Sequence, residues 1–198
     1  MLGSNTIVLT QETDYPWDGD IGIVVQPENE AEFEVKLRIP GWARNQPMPG
    51  NLYQYLDQPE LPITVTLNGD PLPAEVDRGY VSLRRRWKQG DQIRLTLPMP
   101  IRRVVAHPRA TADKGRVAVE RGPLVYCLEF KDNPLDGAQW KLADTAILKA
   151  RWNGDLLGGA VTLAEADAKG TGLTLIPYYL YSNRGPGRMQ VWLPRVSD

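Results

Sequence analysis

The sequence predicts an all-β chain with little helix, built as two antiparallel β-sandwiches of jelly-roll or immunoglobulin-like type. Three observations carry this. Apolar and polar residues alternate with a period of two over many short segments. The 18 glycines and 17 prolines fall between those segments rather than in one tract, as they do where turns are frequent. Helix start and stop signals are almost missing.

In chain order, strand pattern begins at once in the N-terminal segment. In Glu32 to Ile39 every second residue is apolar, which buries one face and leaves a charged one. Ile63 to Leu67 repeats the pattern, and Asn68-Gly69 then gives the strongest short hairpin signal. Val81, Leu83 and Trp87 share a parity within Gly79 to Trp87. Gly90-Asp91 turns the chain into Gln92 to Leu97, which Pro98 and Pro100 end. Further strands are predicted at Ile101 to Ala106, Arg116 to Glu120, Pro123 to Glu129, Ala146 to Trp152, Ala160 to Leu163, Leu173 to Tyr179 and Met189 to Leu193. Asn153-Gly154 marks another turn. One helical segment is expected, Leu163 to Lys169, stopped by Gly170. About a dozen strands suit two sandwiches better than one. The division is placed at 1–103 and 104–198, with the last strands allowed to return to the first sandwich. Arg44 to Pro62 is a long proline-bearing loop, read either as a partner-contacting loop or as a crossover between sheets.

Lysine and arginine number 23 against 24 acidic residues, so there is no basic field for nucleic acid. No stretch approaches the roughly 20 apolar residues of a membrane span. The N-terminus lacks the features of a signal peptide, and a cytoplasmic location is expected. One cysteine, Cys127, excludes an internal disulfide and a multi-cysteine zinc site within one chain, and the single histidine, His107, excludes any site needing two imidazoles from one chain.

Acidic residues such as Glu32 and Glu34 alternate with apolar ones and read as a solvated face. Cys127 lies in the apolar run Leu124 to Leu128 and reads as a small buried hydrophobe. His107 reads as a strand-end residue packed against loops, with a pH-sensitive or catalytic role as the alternative. Arg84-Arg-Arg86 reads as a solvated strand end. Six Trp and eight Tyr against two Phe is an unusual balance. Tyr15, Trp17, Trp42, Tyr53, Tyr55 and Tyr178 to Tyr181 form the clusters. They suit a domain interface, a sugar-binding platform or ordinary packing, since each ring joins an apolar face to a polar tip. Tyr15, Trp17 and Trp42 sit beside Pro and Gly, outside the clean alternation, and are singled out as interface residues. Arg184, in the turn-rich loop Asn183 to Arg188, joins them as an arginine able to clamp a partner's carboxylate.

Six segments, in order, carry a family likeness: Leu9-Thr-Gln-Glu-Thr-Asp-Tyr-Pro-Trp-Asp-Gly19, Leu37-Arg-Ile-Pro-Gly-Trp-Ala43, Val65-Thr-Leu-Asn-Gly69, Gly79-Tyr-Val-Ser-Leu83, Gly115-Arg-Val-Ala-Val-Glu-Arg-Gly-Pro-Leu-Val-Tyr-Cys-Leu-Glu129, and Ile176 through the Arg-Gly-Pro-Gly-Arg loop to Leu193. Together they resemble the C-terminal β-sandwich region of glycoside hydrolase family 127, the β-L-arabinofuranosidases. The resemblance implies a parent enzyme with a helical (α/α)6 barrel followed by two sandwiches, performing retaining hydrolysis of terminal β-L-arabinofuranosides. It places the zinc, the zinc-bound nucleophilic cysteine and the acid/base glutamate in the barrel. No catalytic, cofactor-binding or metal residue is therefore assigned here, and the chain is expected to be an inactive fragment. Its expected partners are its own barrel and a second copy in a homodimer, with no nucleic acid and no membrane. A carbohydrate-binding module and a freestanding interaction sandwich are the alternatives.

Overall fold

The computed structural model describes residues 5–133, 140–165 and 172–197. Their backbone is all-β. Its strands are β1 (Ile7–Thr13), β2 (Asp20–Pro27), β3 (Ala31–Arg38), β4 (Tyr53–Tyr55), β5 (Thr64–Leu67), β6 (Asp70–Leu72), β7 (Tyr80–Trp87), β8 (Asp91–Thr96), β9 (Ile101–Ala106), β10 (Arg116–Arg121), β11 (Leu124–Glu129), β12 (Leu142–Ala143), β13 (Leu148–Asn153), β14 (Ala160–Glu165), β15 (Thr174–Pro177), β16 (Met189–Gln190) and β17 (Leu193–Val196). Helix is confined to single 3-10 turns such as Gly41–Arg44. The chain forms two units. Residues through Asn45 and Pro59–Met99 make the first; Gln46–Gln58 and Pro100 onward make the second.

In unit 1 a five-stranded sheet, ordered β1-β2-β8-β5-β6, faces the two-stranded β3-β7 sheet. The alternation in the sequence explains the packing. β3 and β7 pair in full register from Ala31↔Trp87 to Arg38↔Tyr80. Val35, Leu37, Val81, Leu83 and Trp87 all point inward and meet Val25, Ile93 and Leu95 of the facing sheet. The opposite parity carries Glu32 and Arg84, whose side chains pair at 3.3 Å in solvent, a contact worth about 0–1 kcal/mol. Arg84-Arg-Arg86 is thus a solvated strand end, with Arg86 reaching Glu30 at 3.3 Å. Asn68 and Gly69 both have positive φ, the backbone a tight β5-β6 hairpin demands. The Asn68 side chain donates to buried Asp91 at 2.9 Å and accepts from the Gln92 N–H at 2.8 Å, tying the hairpin to β8.

In unit 2 the strands run β12-β17-β10-β11-β15-β14-β13, with β9 beside β10, β4 beside β9 and β16 beside β11. All pairs are antiparallel except β12 with β17. The strands are apolar on successive residues because both faces are covered. Val117 and Val119 of β10 join Tyr126, Leu128, Leu163, Leu175 and Leu193 in the larger core. Ala118, between them, faces a second cluster with Tyr55 and Val104.

Several expectations need adjustment. The units divide at Met99 and Pro100 rather than after 103, so all of β9 belongs to unit 2, where it finds partners on both edges in β4 and β10. The long loop is a crossover: Tyr53–Tyr55 leaves unit 1 and adds a strand to unit 2. The last strands stay in unit 2, where β16 and β17 pair with β11 and β10. Leu163 to Glu165 is strand, held by β15 through Leu163↔Leu175; the rest of the expected helix, 166–169, lies outside the described residues. β2, β4 and β12 were not anticipated: β2 carries Gly22 inside its apolar run, and β4 and β12 are only three and two residues long.

Candidate functional site

Tyr15 and Trp17 lie on the turn between β1 and β2, and Trp42 on the 3-10 turn that follows β3. The structure brings Tyr15 and Trp42 together. Burial raises the Tyr15 hydroxyl above its ordinary pKa, and the neighbouring Trp42 indole opposes that shift. Trp42 packs on the outside of the unit 1 core. Tyr15 is 39% exposed and Trp17 half-buried. Beside Tyr15 opens a trough of about 390 Å³, lined by Gln11, Ile21, Leu37, Arg38 and Leu95 among others. Leu37 and Leu95 are core residues, so the trough opens directly onto the apolar interior of the sandwich.

Two arginines border this surface that the sequence reading did not single out. A Cβ on Gly79 would sit 2.7 Å from a terminal nitrogen of Arg38 and 3.5 Å from one of Arg44, so both guanidinium ends meet over one glycine. Arg38 stacks on the Tyr80 ring at 5.2 Å, and the Arg44 Nε–H donates to the Ile39 carbonyl at 3.2 Å. Neither guanidinium is paired with a carboxylate among the described residues. Two like charges held together in this way favour an anion between them. Their spacing, 38 and 44, carries no signal in the sequence, because only the turn at Gly41–Arg44 brings them together.

Arg184 is placed differently from expectation. It bonds Glu129 and both carboxylate oxygens of Asp132, the latter at 2.8 and 2.5 Å. Glu129 is 1% exposed and also accepts from the Ser182 N–H at 3.2 Å. The guanidinium therefore clamps carboxylates of its own unit and fixes the 182–188 loop to the end of β11. Asn133 extends the tie, donating to Glu129 O and Thr174 O at 2.8 and 2.9 Å and accepting from Thr174 N–H.

Cys127 is fully buried. Its thiol is pushed up to about 12 by burial first, then by the charges of Glu129 and Asp132, so it stays protonated and inert at neutral pH. His107 closes the turn after β9: its backbone N–H donates to Leu52 O at 2.7 Å and its Nδ1 accepts the Arg109 N–H at 3.2 Å. Among the described residues no group of three or more His, Cys, Asp or Glu is placed to hold a metal. A zinc-thiolate centre does not fit this chain, whose one thiol is sealed in a core. A polar cluster that the sequence did not reveal lies in unit 2. The Tyr55 hydroxyl donates to Glu120 at 2.9 Å, and Arg102, itself buried, stacks on the Tyr55 ring at 3.9 Å and bonds Asp57 at 3.2 Å. Burial raises the Glu120 carboxyl, with Tyr55 and Arg102 opposing it.

Two antiparallel, sandwich-like β units, each around its own apolar core, define the class of this chain. Residues 1–99 match the GH127 β-L-arabinofuranosidase middle domain and residues 101–194 the glycoside hydrolase family 127 C-terminal domain. The chain belongs to glycoside hydrolase family 127. It is 33% identical over a 216-residue alignment to a non-reducing end β-L-arabinofuranosidase of Bifidobacterium longum subsp. longum, covering 96% of this chain and 30% of the relative. A solved GH127 β-arabinofuranosidase superposes with a TM-score of 0.90 at 40% identity, over 97% of this chain and 32% of the other. A GH127 β-L-arabinofuranosidase from Geobacillus stearothermophilus T6 gives 0.84 at 35% identity, over 98% and 31%. The chain thus spans about a third of the length of these relatives and is a partial region of such an enzyme. No helix of the described residues is long and apolar enough to cross a membrane.

Proposed function

We propose that this chain is the non-catalytic sandwich region of a family 127 enzyme that hydrolyses terminal β-L-arabinofuranosides with retention, and that unit 1 braces the catalytic barrel through the Tyr15–Trp42 surface. The trough beside Tyr15 carries the reading. Its floor is the core itself, its rim is aromatic, and Arg38 and Arg44 stand beside it ready for a carboxylate. Large aromatics beside a partly open apolar floor are what an interface anchors on. In the absence of a barrel in the same sample, the same face drives self-association, and the homodimer contact is assigned to it. Arg184 is left out of the interface because its donors serve Glu129 and Asp132. The cytoplasmic location is part of the proposal, supported by a free buried thiol, which suits a reducing compartment.

The test is reconstitution. A separately produced barrel from a family member is mixed with this chain, and cleavage of an aryl β-L-arabinofuranoside is followed. The expected result is no cleavage by the chain alone, and a barrel whose activity and melting temperature rise on adding the chain. The gain should fall with Tyr15→Ala and Trp42→Ala while circular dichroism of each variant is unchanged. Cleavage by the chain alone, or an equal gain with both variants, overturns the reading.

A further inference from the structure

Trp152 closes β13 at the head of the β13-β14 hairpin, and it is 59% exposed. An indole left this open forgoes most of its burial energy. Its position is nevertheless tightly built. A Cβ on Gly159 would lie 2.3 Å from Cζ2 and 2.7 Å from Cη2 of the ring, and one on Gly154 would lie 3.6 Å from Nε1. The benzo ring rests on the bare Cα of Gly159, whose φ of +114° already excludes most side chains. The loop beneath is itself fixed. Leu156 is buried, the Asp155 N–H donates to Asn153 Oδ1 at 3.1 Å, and the Gly159 N–H to Leu156 O at 2.9 Å. The result is a flat aromatic surface held by a rigid turn.

We propose that Trp152, laid on Gly154 and Gly159, is a stacking platform for one ring of a neutral glycan. The C–H face of a furanose or pyranose meets the electron-rich indole face, and the exposed Asn153 and Asp155 offer a donor and acceptors for hydroxyls next to it. The size of the patch separates this occupant from a protein. Even with Leu157, 44% exposed in the same turn, the patch stays near the roughly 150–250 Å² of one aromatic side chain, which matches a sugar ring, whereas a stable protein interface needs about 800 Å² from each side. Ile147, exposed just before β13, stands five residues away, about 17 Å along an extended backbone, and does not enlarge the patch. Arg151 and Asp155 bring opposite charges to the turn, which suits an uncharged ligand. The platform is independent of the Tyr15–Trp42 surface, and either can fail without the other.

Saturation-transfer NMR on the purified chain tests it, irradiating aromatic protons and reading the ring C–H signals of arabino-, xylo- and malto-oligosaccharides at millimolar concentration. Transfer to at least one oligosaccharide is expected. Trp152→Ala should reduce it about tenfold, the scale of a lost stacking contact. Trp152→Phe should retain a part, Gly159→Ala should reduce it by displacing the ring, and Trp17→Ala should leave it unchanged. Far-UV circular dichroism confirms that each variant is folded. Absence of transfer to all three sugars, or equal transfer in Trp152→Ala, overturns the proposal. A change in sedimentation of Trp152→Ala without any sugar transfer also overturns it, in favour of a protein contact.

Discussion

The two units stabilise themselves by different means. In unit 1 each strand of the β3-β7 pair buries one face and wets the other, and among the described residues its buried polar or charged side chain is Asp91 alone. In unit 2 the strands β10, β11, β14 and β15 bury successive residues, and Arg102, Glu129, Asn133 and Thr162 are buried with them. Covering both faces of a sheet removes more apolar area from water, but the ends of the strands then have no solvent to meet. Buried charged and amide groups take over that role, each with its partners in place. Unit 1 is held by packing; unit 2 is held by packing and by a framework of buried polar side chains.

That contrast breaks first in the unit 1 core. Trp87 is fully buried and its indole N–H donates to Phe33 O at 3.0 Å. Trp87→Ala should cost about 3–5 kcal/mol. Hydrogen exchange read by peptide should show protection lost across β3, β7 and β8, with less change in β10 and β11. Uniform loss would mean that the units unfold together and differ only in composition.

Arg184→Ala attacks the framework of unit 2. It strands the Glu129 carboxylate, which is buried, and a broken buried pair costs about 3–5 kcal/mol. The lower end is expected, because the Arg184 side chain is 22% exposed and water can enter in its place. Cys127 reports the effect, since native labelling of its thiol should accelerate while exchange in β3 is unchanged. A variant that labels as slowly as the parent would show the clamp to be dispensable. Tyr55→Phe removes one donor to Glu120 and should cost about 1–3 kcal/mol, measured by urea unfolding.

The smallest effects are those of pH, and here the units should respond with opposite sign. In unit 1 burial would raise Asp91, but hydrogen bonds from Asn68 and the Lys88 N–H, with the charges of Arg85 and Lys88, outweigh it and hold the carboxyl low. Its contribution is present above the ordinary aspartate value near 3.9 and is lost as pH falls through the lowered one. Glu120 in unit 2 is raised, so its contribution is present below the ordinary glutamate value near 4.3 and is lost as pH rises through the raised one. Asp91→Asn should flatten the acid limb of a stability profile, and Glu120→Gln the limb above it. Identical profiles for both variants would dissolve the distinction.

The same contrast decides what could be read from the sequence. Glu32 to Ile39 announced β3 because a one-sided strand must alternate, and Asn68-Gly69 announced the β5-β6 turn because few other pairs accept positive φ twice. Cys127 read as core because its neighbours are apolar on both sides. Leu163 to Glu165 was ambiguous because a strand covered on both faces has no period to display, and a short apolar run serves helix and strand alike. The site was legible in kind but not in partnership. Tyr15 and Trp42 stood out as aromatics beside Pro and Gly, yet nothing in their spacing shows that they meet. Arg184 stood out as an arginine on a glycine loop, but its carboxylates, 52 and 55 residues away, are found only by folding. The Tyr55–Glu120 contact spans 65 residues and was hidden for the same reason.

The crossing of Gln46–Gln58 into unit 2 has an evolutionary side. The family recognises a boundary near residue 100, and a gene cut there would look like two clean modules. The second module would arrive without β4, leaving Val104 and Ala118 uncovered and Arg102 stripped of both Asp57 and the Tyr55 ring. Inheritance of the C-terminal domain is therefore tied to a thirteen-residue lease on the domain before it, and recombination that respects the sequence boundary would violate the structural one.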